Sequence, residues 1–227
     1  MDYNSFLALL EPYRDPKYAI FQSKLLGPTK QTVLGVKTPI MRKIAKKCLS
    51  EIDSLLAFPD EYYEVTFIKL LLVSELPYNQ FIKFFEDCVE LLDNWATCDC
   101  FRPKCLRKHK EEYLPYLEKI FVQGGEFRER YVLVTLLAYY IEERYYSIIF
   151  DFIKRAHTEY YYVHMAVAWL IAELIIKDPK FGLETLSYSG LGYKTRNKAI
   201  QKVRESFRVT KEEKERLNSF KIKKNKD

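Results

Sequence analysis

Within Trp95-Ala96-Thr97-Cys98-Asp99 an aromatic ring and a carboxylate stand four residues apart. On a helix that spacing puts both side chains on one face. One reading is a core-edge aromatic beside a surface charge; the other is an aromatic and a carboxylate turned to a common ligand. Arg130 follows in Phe127-Arg128-Glu129-Arg130, near the start of its own helix, and Trp169 closes Ala166-Val167-Ala168-Trp169. These are the chain's 2 tryptophans. Each residue alone is an ordinary structural group, but on equivalent helices of a repeat the set would line one wall.

Two basic runs could carry phosphate contacts. Arg102 to Lys110 holds Lys104, Arg107 and Lys108 among its cations, and a later stretch holds Lys194, Arg196, Lys198, Lys202 and Arg204. They read either as solvated helix ends, favoured by the helix dipole, or as contacts to a nucleic-acid backbone, which needs positive charge without sequence logic. Cys98, Cys100 and Cys105 invite a zinc reading. Residues two apart on a helix point to different sides, however, and zinc wants four converging ligands, so they are expected to be structural thiols. His109, His157 and His164 lack His-x-x-x-His spacing. No metal and no cofactor is expected.

The elements that must position these residues are helices. Glycine is scarce, 7 in 227 residues, which disfavours the tight turns of hairpin-rich folds. Apolar residues recur at helical spacing, as in Phe67, Leu70, Leu71, Ser74 and in Val132, Thr135, Leu136, Tyr139. Breaks are expected at Pro59, Pro77, Pro115, Gly124-Gly125, Pro179 and Gly190-Leu191-Gly192. Thr38-Pro39, Asp178-Pro179 and Thr210 read as helix starts, each with a capping side chain. Thirteen helices are expected at about 3–11, 16–26, 39–49, 60–75, 77–92, 95–108, 111–122, 126–141, 144–156, 160–176, 179–187, 193–207 and 210–220. Those beginning near 60, 95, 126, 160 and 193 recur at intervals of about 31–35 residues, the period of stacked helical hairpins. The expectation is an all-α fold of HEAT-like helical-hairpin repeats forming a curved α-solenoid. A single domain would cover 1–220, with a basic tail at 221–227.

Composition limits the partners. The net charge of +6 permits a polyanion without requiring one. An odd count of 5 unevenly spaced cysteines argues against a disulfide framework and for a reducing cytoplasm. No signal peptide opens the chain, and the apolar tract Tyr160–Ile176 is interrupted by His164 and Glu173, so no membrane association is expected.

The ordered set resembles the AlkD-type DNA alkylation repair family, whose members are HEAT-like-repeat alkylpurine DNA glycosylases. Trp95-x-x-x-Asp99 matches that family's Trp-x-x-x-Asp element, Phe127-x-x-Arg130 its aromatic-x-x-Arg element, and Trp169 its later lone tryptophan. Leu34-Gly35-Val36-Lys37-Thr38-Pro39-Ile40-Met41-Arg42 resembles its N-terminal signature, and Lys194 to Glu205 its closing helix. The likeness spans about residues 16–208. Four positions differ: Asn94 where a second aromatic is common, Phe127 where tryptophan is usual, Leu25-Leu26 where a tyrosine is expected, and Ala172 in place of a basic residue.

The resemblance implies a monomer that hydrolyses the N-glycosidic bond of N3- or N7-alkylated purines in duplex DNA. Asp99 would stabilise positive charge on the deoxyribose and position water. Trp95 and Trp169 would offer π faces to the cation, Arg130 would clamp a phosphate, and Lys104, Arg107, Lys108, Lys194, Arg196 and Lys198 would hold DNA. The rival expectation is a non-catalytic α-solenoid that binds DNA or a protein through its concave face.

Overall fold

The computed structural model describes residues 1–27 and 29–222. Most of the expected tail at 221–227 lies outside the described residues. Among the described residues the chain is all-helical, with one isolated bridge between Thr32 and Tyr62 and no strand. No described helix is long and apolar enough to cross a membrane. The chain divides into two compact units, Met1–Glu111 and Glu112–Asp227.

The first unit contains α1 (Tyr3–Leu10), α2 (Pro16–Leu26), α3 (Thr38–Lys47), α4 (Ile52–Leu56), α5 (Tyr63–Ser74), α6 (Tyr78–Glu90) and α7 (Trp95–Cys100). Every residue of α5 except Leu71 is buried, as befits a helix that is apolar nearly all round and surrounded by neighbours. It packs on α3 at one side and α7 at the other. Its one buried carboxylate, Glu64, accepts backbone N–H bonds from Leu34 (2.9 Å), Gly35 (2.8 Å) and Val36 (3.1 Å), holding the loop that leads into α3. Gly35 is required there: its φ is +86°, and a Cβ would lie 2.2 Å from the Asp15 carbonyl oxygen.

A helix from Lys110 to Gln123, α8, contains the boundary between the units. The second unit continues with α9 (Glu126–Tyr139), α10 (Tyr146–Arg155), α11 (Tyr161–Lys177), α12 (Pro179–Leu186), α13 (Tyr193–Glu205) and α14 (Lys211–Arg216). Here α11 is central and packs on α9, α12 and α13. Helix α12 approaches α11 at Gly182, where a Cβ would stand 2.4 Å from both the Ile175 Cα and its backbone nitrogen. Gly182→Ala should therefore push the two helices apart and cost about 1–3 kcal/mol, the range for overpacking. Denaturant unfolding checks this, and an unchanged midpoint would count against so close an approach.

Four expectations need correction. The helix expected over 95–108 ends at Cys100, and a separate 3-10 turn follows at Lys104–Arg107. Pro103 has no N–H and disfavours helical geometry at Arg102, so the helix cannot run through. Thr38 is the first residue of α3 rather than its cap; Lys37 occupies the cap with no side-chain bond. Pro115 does not break the chain but sits inside α8, close to its start. Residues 50–56, left without structure, form with Leu49 a 3-10 turn and α4 anchored by buried Leu55. Asp178 and Thr210 do cap their helices, Thr210 in a reciprocal capping box with Glu213.

Candidate active site

Asn94 sets the position of α7. Its side-chain oxygen accepts the Ala96 and Thr97 amides at 2.9 and 3.0 Å, and the Thr97 hydroxyl accepts the Asn94 amide at 3.3 Å. Its amide group donates to Asp93 at 2.7 Å, and Asp93 in turn accepts the Thr29 hydroxyl at 2.7 Å. Asn94 is fully buried. The departure noted at this position is therefore a capping residue that fixes the first turn on which Trp95 stands.

Trp95 is half-buried and packs against the core of the first unit. Its indole N–H donates to the Leu25 carbonyl at 3.0 Å, which joins α7 to the end of α2. Asp99, one turn on and also half-buried, shares the Trp95 face. Cap, indole bond and core contact together leave α7 little freedom, so the carboxylate is presented from a fixed backbone. Cys98 is buried, while Cys100 and Cys105 are half-buried with burial raising both thiols above the ordinary range. Among the described residues no three His, Cys, Asp or Glu side chains gather as a metal site would need.

The basic residues beyond α7 differ in their commitments. Arg107 and Lys108 are exposed, whereas Lys104 forms an ion pair with Glu75 at 2.6 Å. His109 stacks on Tyr78, with ring centroids 4.4 Å apart.

In the second unit, Arg130 and Trp169 lie on the adjacent helices α9 and α11. Trp169 is half-buried; Ala172, three residues on, is packed into the core. Arg130 is only 6% exposed. Its guanidinium donates to the Tyr162 carbonyl at 3.1 Å and lies 5.9 Å from that ring. Glu126 accepts the Tyr162 amide at 2.7 Å. Buried Glu129 accepts the His157 amide at 2.9 Å and approaches the His157 Nδ1 at 2.7 Å. Glu126, Glu129 and Arg130 fall at helical spacing on one face of α9; Glu126 and Arg130 hold the first turn of α11 at Tyr162, and Glu129 holds His157 in the segment that leads into it. This seam was not legible in the sequence. Its only local signal was that spacing.

The Glu129 carboxylate raises the pKa of His157, which is exposed. A His whose folded pKa is raised stabilises the fold below its unfolded pKa of about 6.5 and loses that contribution as pH climbs through the folded value. Wild-type protein should thus exceed His157→Ala in Tm by more at pH 6 than at pH 9. Equal gaps at both pH values would show that the imidazole charge plays no part.

Lys194, Arg196 and Lys198 lie on α13, which packs on α11. Lys194 is exposed, Arg196 donates to the Tyr188 carbonyl at 3.1 Å, and Lys198 donates to the Gln201 side chain at 2.9 Å. His164 on α11 meets the Thr195 hydroxyl at 2.9 Å. Its pKa is lowered by burial and by nearby Lys198 and Lys194.

A family model described as DNA alkylation repair enzyme matches residues 6–186. No curated protein matches the chain.

Proposed function

Because the chain belongs to the DNA alkylation repair enzyme family, we propose that it is a glycosylase that hydrolyses the N-glycosidic bond of N3- or N7-alkylated purines in duplex DNA. The observation that carries this reading is the fixed presentation of Trp95 and Asp99 from one face of capped helix α7. The alkylated base is already a cation, so it departs with the bonding electron pair as a neutral purine and needs no strong acid. Positive charge builds instead on the deoxyribose, where a carboxylate stabilises it. Water adds to C1′ and gives up a proton, leaving an abasic sugar.

Trp95 and Trp169 are assigned π faces for the cation, an attraction of about 1–2 kcal/mol when desolvated. Arg130 is assigned to the DNA phosphates as well as to Tyr162, whose carbonyl its guanidinium already holds. Arg107, Lys108 and Lys194 are exposed cations suited to the backbone; Lys104, Arg196 and Lys198 would trade or share their internal partners on binding. The sequential packing of α3, α5, α7 and of α9, α11, α13 supports HEAT-like repeats in each unit. One family match, over residues 6–186, runs through both units; we read 1–220 as a single functional domain, acting as a monomer in the cytoplasm.

The test is release of free 3-methyladenine or 7-methylguanine from methylated duplex DNA by the purified protein, beside an active glycosylase as control. Release supports the proposal. Salt-sensitive DNA binding without release would identify a binding module instead.

A further inference from the structure

From Pro16 to Ser50 the sequence carries eight cations, Lys17 through Lys47, and no acid at all; Asp15 and Glu51 bound the stretch. All eight are exposed. Among the described residues, the ion pairs Met1–Glu51, Arg14–Glu11, Lys69–Asp60 and Lys104–Glu75 of this unit involve other side chains. One contact is internal to the stretch: the Lys37 ammonium lies 5.7 Å from the Tyr18 ring. Such a surface repels cations and draws polyanions.

Helix α2 adds a second property. It buries Gln22 and Leu26 and turns the opposite face outward. That face holds Lys17, Phe21 and Leu25 at successive turns, flanked by Ile20 and Lys24. Ile20, Phe21 and Leu25 are 62%, 58% and 48% exposed. Large apolar side chains left uncovered between lysines mark an interaction surface rather than a solvated helix. The Leu25 carbonyl holds the Trp95 indole, so this face continues directly to α7.

We propose that the outward face of α2 is a DNA-docking surface, with Phe21 and Leu25 set against deoxyribose and base edges in the minor groove and Lys17 and Lys24 on the flanking phosphates. Apolar wedges bracketed by cations are how proteins engage that groove, and lysine serves phosphate as a point charge. The choice of DNA rests on the proposed function; the surface itself rests on the charge and exposure of α2.

The full-length protein, with a fluorescent undamaged duplex, tests it by anisotropy across a salt series. Lys17→Ala/Lys24→Ala should flatten the slope of log affinity against log salt by about 2 and weaken binding roughly tenfold at moderate salt. Phe21→Ala should weaken binding several-fold and leave the slope unchanged. The equal-charge control Lys83→Ala/Lys211→Ala should change affinity less than twofold. The proposal is overturned if the α2 variants match that control, if unaltered protein does not bind the duplex, or if the variants lose only binding to phosphatidylserine vesicles. Base release is scored separately. A protein that binds through α2 but releases no base refutes the glycosylase reading alone, whereas normal release with undiminished binding by the α2 variants refutes the docking surface alone.

Discussion

Asp99→Asn should lower the rate of base release by about 10²–10³-fold, the loss typical of removing one preorganised electrostatic group from a reacting centre. The substitution keeps size and shape but removes the charge that the proposed reaction sets against the developing cation. DNA affinity should stay within about threefold, because a carboxylate repels rather than attracts the phosphate backbone. Helix α7 is capped by Asn94 and tied down by Trp95, so its structure should not depend on this side chain. Single-turnover release on methylated DNA, paired with anisotropy on the same duplex, separates the two effects. A rate within threefold of wild type would remove Asp99 from the chemistry.

The largest expected effect on stability falls at Glu64. Its buried carboxylate is the acceptor for the three successive amides of Leu34, Gly35 and Val36. Glu64→Ala would strand all three donors away from water, each at about 1–3 kcal/mol before relaxation. A net loss of about 3–5 kcal/mol is expected once the loop partly opens. Glu64→Gln, which retains an acceptor oxygen, should cost clearly less. Burial raises the Glu64 pKa against the lowering effect of those amides. A raised carboxylate pKa means that the charge itself opposes folding above the unfolded pKa of about 4.3, so this group's charge contributes no gain at neutral pH. The acceptor geometry stabilises the loop, not the charge. Urea unfolding of the two variants decides the matter: equal midpoints for Gln and Ala would contradict the bracket. Gly35→Ala disturbs the same loop through its positive φ and the Asp15 carbonyl.

Much of the helical framework was readable in the sequence, because apolar spacing reports directly on which face is buried. Helix α2 begins and ends where expected, and Asp178 and Thr210 cap as their types suggest. Periodicity failed at residues 95–108, where it continued across Pro103 while the backbone could not. It also failed at residues 50–56, too short to show a period. The pairing of Trp95 with Asp99 was legible because it depends only on local helical geometry.

The surroundings of the candidate site were less legible. Asn94 looked like a departure from a pattern, although Asn-x-x-Thr is itself a capping signal, with Thr97 returning the bond. The grip of α9 on the start of α11 and on the segment before it joins residues 28 to 36 positions apart, and no local signal announces such partners. The acid-free stretch from Pro16 to Ser50 was open to view. Its meaning needed the fold, which shows that Ile20, Phe21 and Leu25 lie on the uncovered face of α2.

The proposed reaction breaks an N-glycosidic bond. Chromatographic detection of free methylated purine, followed over time with protein in excess of a duplex carrying 7-methylguanine or 3-methyladenine, tests it most directly. The free base should appear with first-order kinetics, together with an abasic site in equal amount. Release no faster than in buffer alone, while the active control enzyme empties the same duplex, would contradict it.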